Sequence, residues 1–260
     1  SDVLISSSGK KQVFLESVRT MKKRVVDSLR ENDKVISITG TQYGEGKTTV
    51  SINLAIALAQ NGKKVVLCDC DLRRPKVQRY LRLKTASQNG VSTVLSGNCT
   101  LDNAIGYVED FNIYVMVSGP TPPNPGELLA SERAKAMIDE LKTKFDYVIC
   151  DTPPVSIVSD TLAFSKHIDG AIMVVRQNYA SRVEIQEAVE KLKAVETNIL
   201  GMLLNDYDSK KDVNYKYDKY YSYKNYYVDW ERLDKIRQFE QNANYLKLAS
   251  FPMSTHIVVA

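Results

Sequence analysis

The run Gly40-Thr41-Gln42-Tyr43-Gly44-Glu45-Gly46-Lys47-Thr48 follows an apolar segment, Val35 to Thr39, and opens a helical pattern. A glycine-rich turn between a strand and a helix aims backbone N–H groups into one small volume, the geometry that holds a phosphate. Lys47 is then placed to reach the β- and γ-phosphates, and the Thr48 hydroxyl to take a position on Mg²⁺. The candidate nucleotide-binding residues of the loop are Gly40, Gly44, Glu45, Gly46, Lys47, Thr48 and Thr49. Five residues separate Gly40 from Gly46, one more than the standard spacing, so this is a longer variant of the loop.

The rest of the chain keeps the same rhythm. Phe14, Val18, Met21, Val25 and Leu29 form one stripe of a helix over residues 12–30, and residues 48–60 read as a second helix. Apolar runs at residues 35–39, 64–68, 113–117, 147–150, 171–175 and 199–204 read as strands. Between them, Ala134, Met137, Ile138 and Leu141 mark one helix, and Ile185, Ala188, Val189 and Leu192 another. Strands that are apolar on both faces and alternate with amphipathic helices imply an α/β fold, a mostly parallel sheet covered on both sides. The expected organisation is an N-terminal helix region (1–33), a phosphate-loop core (34–205), a tyrosine-rich tail (206–230) and an extension of no readable purpose (231–260).

Composition narrows the chemistry. The 35 basic and 31 acidic residues leave a net charge of only +4, which gives no ground for a nucleic-acid partner. Two histidines and four cysteines without zinc spacing supply neither a histidine metal site nor a disulfide framework. No apolar stretch approaches the roughly 18 residues of a membrane span, and no secretory signal opens the sequence, so a cytoplasmic location is expected.

Acidic residues end two of the strands. Asp69 and Asp71 lie two apart, which puts them on one side of the chain, and they are followed by Arg73 and Arg74; Asp151 ends another apolar run and precedes Thr152-Pro153-Pro154. Ligands of such sheets bind beyond the carboxyl ends of the strands, where these carboxylates and the phosphate loop are expected to meet. Hard oxygen ligands suit Mg²⁺, so Thr48, Asp69, Asp71 and Asp151 are the candidate metal ligands, and Lys47, Asp69, Asp71 and Asp151 the candidate catalytic residues. Either Asp69 or Asp71 is placed to take the proton of an incoming hydroxyl. That hydroxyl is water in an ATPase and a tyrosine in a kinase, and eight tyrosines crowd residues 207–227. Charges without alternation surround them, which predicts a mobile tail.

From about Glu16 to Tyr227 the chain resembles the bacterial tyrosine kinases that regulate capsule and exopolysaccharide synthesis, a family built on a deviant P-loop ATPase fold. The resemblance rests on the long glycine spacing of residues 40–48, the Asp69-x-Asp71-x-Arg73 pattern, Asp151-Thr152-Pro153-Pro154, the Gly119-Pro120-Thr121-Pro122-Pro123-Asn124-Pro125 segment and the tyrosine cluster. It implies ATP and Mg²⁺, Asp69 as the base, and autophosphorylation in trans on Tyr215, Tyr217, Tyr220, Tyr221, Tyr223, Tyr226 and Tyr227. It also implies a homo-oligomeric ring joined through a Glu-x2-Arg-x2-Arg helix, read here as Glu16, Arg19 and Lys22. By charge patterning alone, Glu16, Arg19 and Lys23 are a solvated face. The implied partners are a membrane-anchored polysaccharide co-polymerase, whose cytoplasmic tail activates the kinase at the inner face of the membrane, and a cognate tyrosine phosphatase. Asn205 matches the position that holds adenine in related ATPases, and reads equally as a strand-ending turn residue. The alternative is a partitioning or cell-division-positioning ATPase without kinase activity. Those proteins use a signature lysine five residues before the loop lysine, and Gln42 stands there.

Overall fold

A computed structural model of the chain describes residues 12–83 and 88–206. In chain order the first elements are α1 (Gln12–Ser28), β1 (Val35–Gly40), α2 (Lys47–Ala59), β2 (Val65–Asp69), α3 (Val77–Tyr80), α4 (Val91–Leu95) and α5 (Leu101–Ala104). They are followed by β3 (Gly106–Val108), β4 (Ile113–Met116), α6 (Pro125–Ala130), α7 (Glu132–Lys144), β5 (Tyr147–Asp151), α8 (Asp160–Phe164), β6 (Gly170–Arg176), α9 (Arg182–Ala194) and β7 (Ile199–Asn205). The strands form one sheet in the order β3-β4-β2-β5-β1-β6-β7. Every pairing is parallel except β3 with β4.

Strand alternation divides the core between the two faces. Ile36, Ile38, Val65, Leu67, Ile149, Ile172 and Val174 pack with α1 and α2. Their neighbours Val35, Val66, Cys68, Val148 and Cys150 pack with α4 to α8. Met173 and Ile199 meet the α9 stripe of Ile185, Ala188, Val189 and Leu192. Helix α2 is buried from Val50 to Ala59, as a helix apolar all round must be, because it lies between the sheet and the Val18, Met21 and Val25 stripe of α1. This order sets β5 at the centre of the sheet between β2 and β1, with Asp69 of β2 directly opposite Asp151 of β5.

The six parallel strands and the four long helices stand where the periodicity puts them, with shifts at their ends. Helix α1 stops at Ser28, whose hydroxyl donates back to the Val25 carbonyl at 2.7 Å; the Arg30 N–H then donates to Asp33 Oδ2 at 3.0 Å and starts the turn into β1. Strand β3 is absent from the sequence reading. Its three residues are too short for a pattern, and a turn ending at Asn112, with φ of 54°, folds it back onto β4. The helices α3 to α6 and α8, of four to six residues, escape a 3.6-residue period for the same reason. Tyr215, Tyr217, Tyr220, Tyr221, Tyr223, Tyr226 and Tyr227, the tail from residue 207 and the extension to residue 260 lie outside the described residues. Among the described residues no helix is long and apolar enough to cross a membrane.

Asp169, just before β6, ties the base of the central strands together. Its Oδ2 accepts the N–H groups of Lys34 and Val35, both at 2.8 Å, and its Oδ1 accepts Lys142 Nζ of α7 at 2.9 Å. Partial burial raises the carboxyl pKa, but the two amides and Lys142 outweigh it and hold it below the usual value. A depressed folded pKa gives stability that is present above the unfolded value and lost as pH falls through the folded one. Asp169→Asn keeps one acceptor and turns a donor toward Lys142, so it is expected to cost about 1–2 kcal/mol at neutral pH. In urea titrations the gap to the wild type should close below about pH 4; a gap independent of pH would contradict the assignment.

Candidate active site

The loop grows from the end of β1. Gly40 has no room for a side chain, because a Cβ there would lie 2.7 Å from the Val174 carbonyl of β6 and against Glu45. Gly46, with φ of 92°, is the left-handed residue from which α2 starts, and a Cβ on it would collide with the Asn205 amide. Glu45 folds back under the loop: its Oε2 accepts the Gln42 N–H at 2.8 Å, and its buried Oε1 has no hydrogen-bond partner. Burial raises the Glu45 pKa against these donors. Lys47 Nζ donates to the Gln42 carbonyl at 2.7 Å, and burial lowers the pKa of its ammonium.

One turn into α2, two hydroxyls grip a single carboxylate. Thr48 Oγ1 donates to Asp151 Oδ2 at 2.6 Å and Ser51 Oγ to Oδ1 at 3.0 Å. Burial nevertheless pushes the Asp151 carboxyl up to about 6. Asp69 is also buried. Its Oδ2 accepts the N–H groups of Lys76 and Val77, both at 3.0 Å, and so anchors the start of α3, while its Oδ1 has no partner. Burial first, and then the facing Asp151, raise its pKa well above the usual range. Asp71 accepts the Arg74 N–H at 3.0 Å, and burial raises its pKa too. Arg73 leaves this segment to make a two-pronged pair with the fully buried Asp160, at 2.7 and 3.0 Å, which fixes the end of β2 to α8.

These groups surround one cleft, lined by Tyr43, Gly44, Gly46, Lys47, Thr48, Thr49, Asp71, Lys76, Tyr80, Asp151 and Thr152. Of the expected residues, Gly40, Glu45 and Asp69 stand behind its wall. Asn205, the last residue of β7, flanks the loop and donates from Nδ2 to the Glu45 carbonyl at 2.8 Å. Gln42, at the signature-lysine position, donates from Nε2 to Glu184 Oε1 of α9 at 2.6 Å. Away from the cleft, Glu16 and Arg19 are exposed and pair at 3.4 Å, and Lys22 donates to Asn61 Oδ1 at 2.9 Å. Among the described residues no three His, Cys, Asp or Glu side chains are grouped to hold a metal ion. The cleft instead offers two carboxylates, Asp71 and Asp151, and the Thr48 hydroxyl, a hard oxygen set of the kind Mg²⁺ completes with waters and substrate phosphates.

Tyr43, Ser51, Lys76, Tyr80 and Thr152 are site residues that sequence reasoning passed over. Ser51 carried a usable signal, since it lies four residues after Lys47 and therefore on the same helix face. Lys76 and Tyr80 belong to an otherwise ordinary basic stretch, and only the fold of α3 brings them to the loop.

An AAA domain family model matches residues 33–204. The chain is 33% identical over 215 residues to the tyrosine-protein kinase YwqD of Bacillus subtilis, covering 82% of this chain and 90% of that protein. Among solved structures it is similar to the kinase domain of the Escherichia coli tyrosine kinase ETK, with 30% identity, a TM-score of 0.70 and 74% of each chain covered. It is also similar to the septum site-determining protein MinD of Pyrococcus horikoshii, solved with Mg-ADP, at 27% identity and a TM-score of 0.57 over 67% of this chain and 71% of that one. The stretch shared with the AAA domain takes in the whole cleft, from Tyr43 to Thr152, and the chain belongs to the family of bacterial tyrosine-protein kinases.

Proposed function

We propose that this chain uses ATP to phosphorylate tyrosines in the C-terminal cluster of a neighbouring copy, and that this autophosphorylation regulates the synthesis and export of a capsular or exopolysaccharide. The observation that carries the reading is the cleft, where Lys47, Thr48, Asp71 and Asp151 converge at the end of the central strand. The tyrosine-rich segment starts beyond Asn205, which touches the phosphate loop. Residues 1–33 then serve assembly into a ring through Glu16, Arg19 and Lys22, residues 34–205 catalysis, and residues 206–230 the acceptor role. Activation by the cytoplasmic tail of a membrane-anchored co-polymerase, reversal by a tyrosine phosphatase, and a cytoplasmic location at the membrane's inner face belong to the same reading.

In the reaction the tyrosine oxygen forms a bond to the γ-phosphorus as the bond from that phosphorus to the ADP oxygen breaks, and ADP departs with the electron pair. The loop N–H groups and Lys47, released from the Gln42 carbonyl, hold the phosphate oxygens. Asn205 lies beside the loop where an adenine edge would be read. Asp69 is the base in this reading through Oδ1, its oxygen without a partner, which the acceptor can reach only when the cleft wall in front of it opens, while Asp71 is the carboxylate that already lines the cleft. Thr48, Asp71 and Asp151 are the residues that would hold Mg²⁺, which supplies charge neutralisation on the phosphates. Water is excluded from the rear of the site by Glu45 and the packed α2.

Lys47→Met is expected to lower phosphotyrosine formation by about 10²-fold or more, read by peptide mass spectrometry after incubation with Mg²⁺-ATP and the activator tail. A chain ending at Asp206 should make no phosphotyrosine and still bind ATP, read by nucleotide fluorescence. ATP hydrolysis by the whole chain with every tyrosine unmodified, the activator tail present, would overturn the kinase reading in favour of a switch ATPase.

A further inference from the structure

Five cations lie within ten residues of the segment that follows Asp71: Arg73, Arg74, Lys76, Arg79 and Arg82. No acidic residue occurs in the sequence from Leu72 to Leu101. Arg73 is neutralised by Asp160, whereas Arg74, Lys76, Arg79 and Arg82 make no ion pair among the described residues. The segment is held against the mouth of the cleft, because Asp69 accepts the amides of Lys76 and Val77, and Lys76 and Tyr80 line the cleft itself. The Arg74 guanidinium lies 4.6 Å from the centre of the Tyr43 ring and Arg79 lies 5.7 Å from that of Tyr80, so both arginines flank aromatic walls of the site. Arg74, Arg79 and Arg82 are exposed.

An unneutralised basic rim beside the site repels the substrate that the kinase reading supplies. Residues 214–227 carry Lys216, Lys219 and Lys224 against Asp218 alone. Each phosphotyrosine adds about −1.5 to −2 charges, so two of them reverse the sign of that segment and offer oxygens suited to arginine forks. We propose that Arg74, Lys76, Arg79 and Arg82 form a binding site for phosphotyrosine already made on a neighbouring copy's tail, adjoining the cleft where the next tyrosine reacts. A tail held there presents its remaining tyrosines at high local concentration, so that the first phosphate speeds the later ones. The inference rests on the kinase reading for the source of the phosphotyrosine.

The test uses synthetic peptides of residues 214–227, unmodified or phosphorylated on Tyr226 and Tyr227, with the full chain dephosphorylated and free of ATP. Fluorescence anisotropy at low salt is expected to show the phosphopeptide bound at least about tenfold more tightly. That ratio should fall to near one in an Arg79→Gln, Arg82→Asn variant, asparagine being chosen because residue 82 has φ of 54°. Equal binding of the two peptides by the unaltered chain overturns the proposal whether or not the variant folds, and so does a folded variant that keeps the full ratio. Since the phosphate is supplied by synthesis, failure of the kinase reading would appear as absent autophosphorylation and leave this measurement intact.

Discussion

The site depends on one buried carboxylate. Asp151 lies at the end of β5, between the strand that carries the loop and the strand that carries Asp69, and accepts two hydroxyls from α2. Those two bonds fix the rotation of α2 about its axis, and therefore where Lys47 emerges. Burial makes the arrangement costly for a lone anion, which is why the carboxyl pKa rises although two donors oppose it. A positive charge brought in with a nucleotide phosphate relieves that cost.

A second tier of contacts positions the loop from its flanks. Asn205 holds the Glu45 carbonyl from β7, Gln42 is tied to the start of α9, and the Arg73–Asp160 pair pins the end of β2 to α8. The bond from Gln42 to Glu184 occupies the place where a switch ATPase has its signature lysine, and a neutral amide there holds the loop to its own chain. Asp69 acts in both directions, since one oxygen orders α3 and the other remains unengaged beside Asp151.

Much of this was legible in the residues. The central strands announce themselves because both faces are apolar, and the loop because its glycines fall between a strand and a helix. The carboxylates were legible because Asp69, Asp71 and Asp151 end apolar runs. The remainder depends on contacts between residues far apart in the chain. Asp160 meets Arg73 across 87 positions, and no local pattern marks it as anything but a helix-starting residue. Tyr43 and Tyr80 look like ordinary loop and helix aromatics until α3 folds beside the loop. Strand β3 lacked the length for periodicity, and its place at the sheet edge comes from a tight turn and the contact of Tyr107 with Tyr114.

Asn205 is clasped by the phosphate loop, so the chain leaves the described residues from a fixed point. A chain spans at most about 3.5 Å per residue. Tyr207, two residues out, can therefore stand no more than about 7 Å from that point, and Tyr227 no more than about 75 Å. The covalent limit on reach thus rises about tenfold along the cluster, from the immediate surroundings of the loop to the width of another molecule. Which tyrosine meets which active site is in part a question of reach, set by how far each stands from that one asparagine.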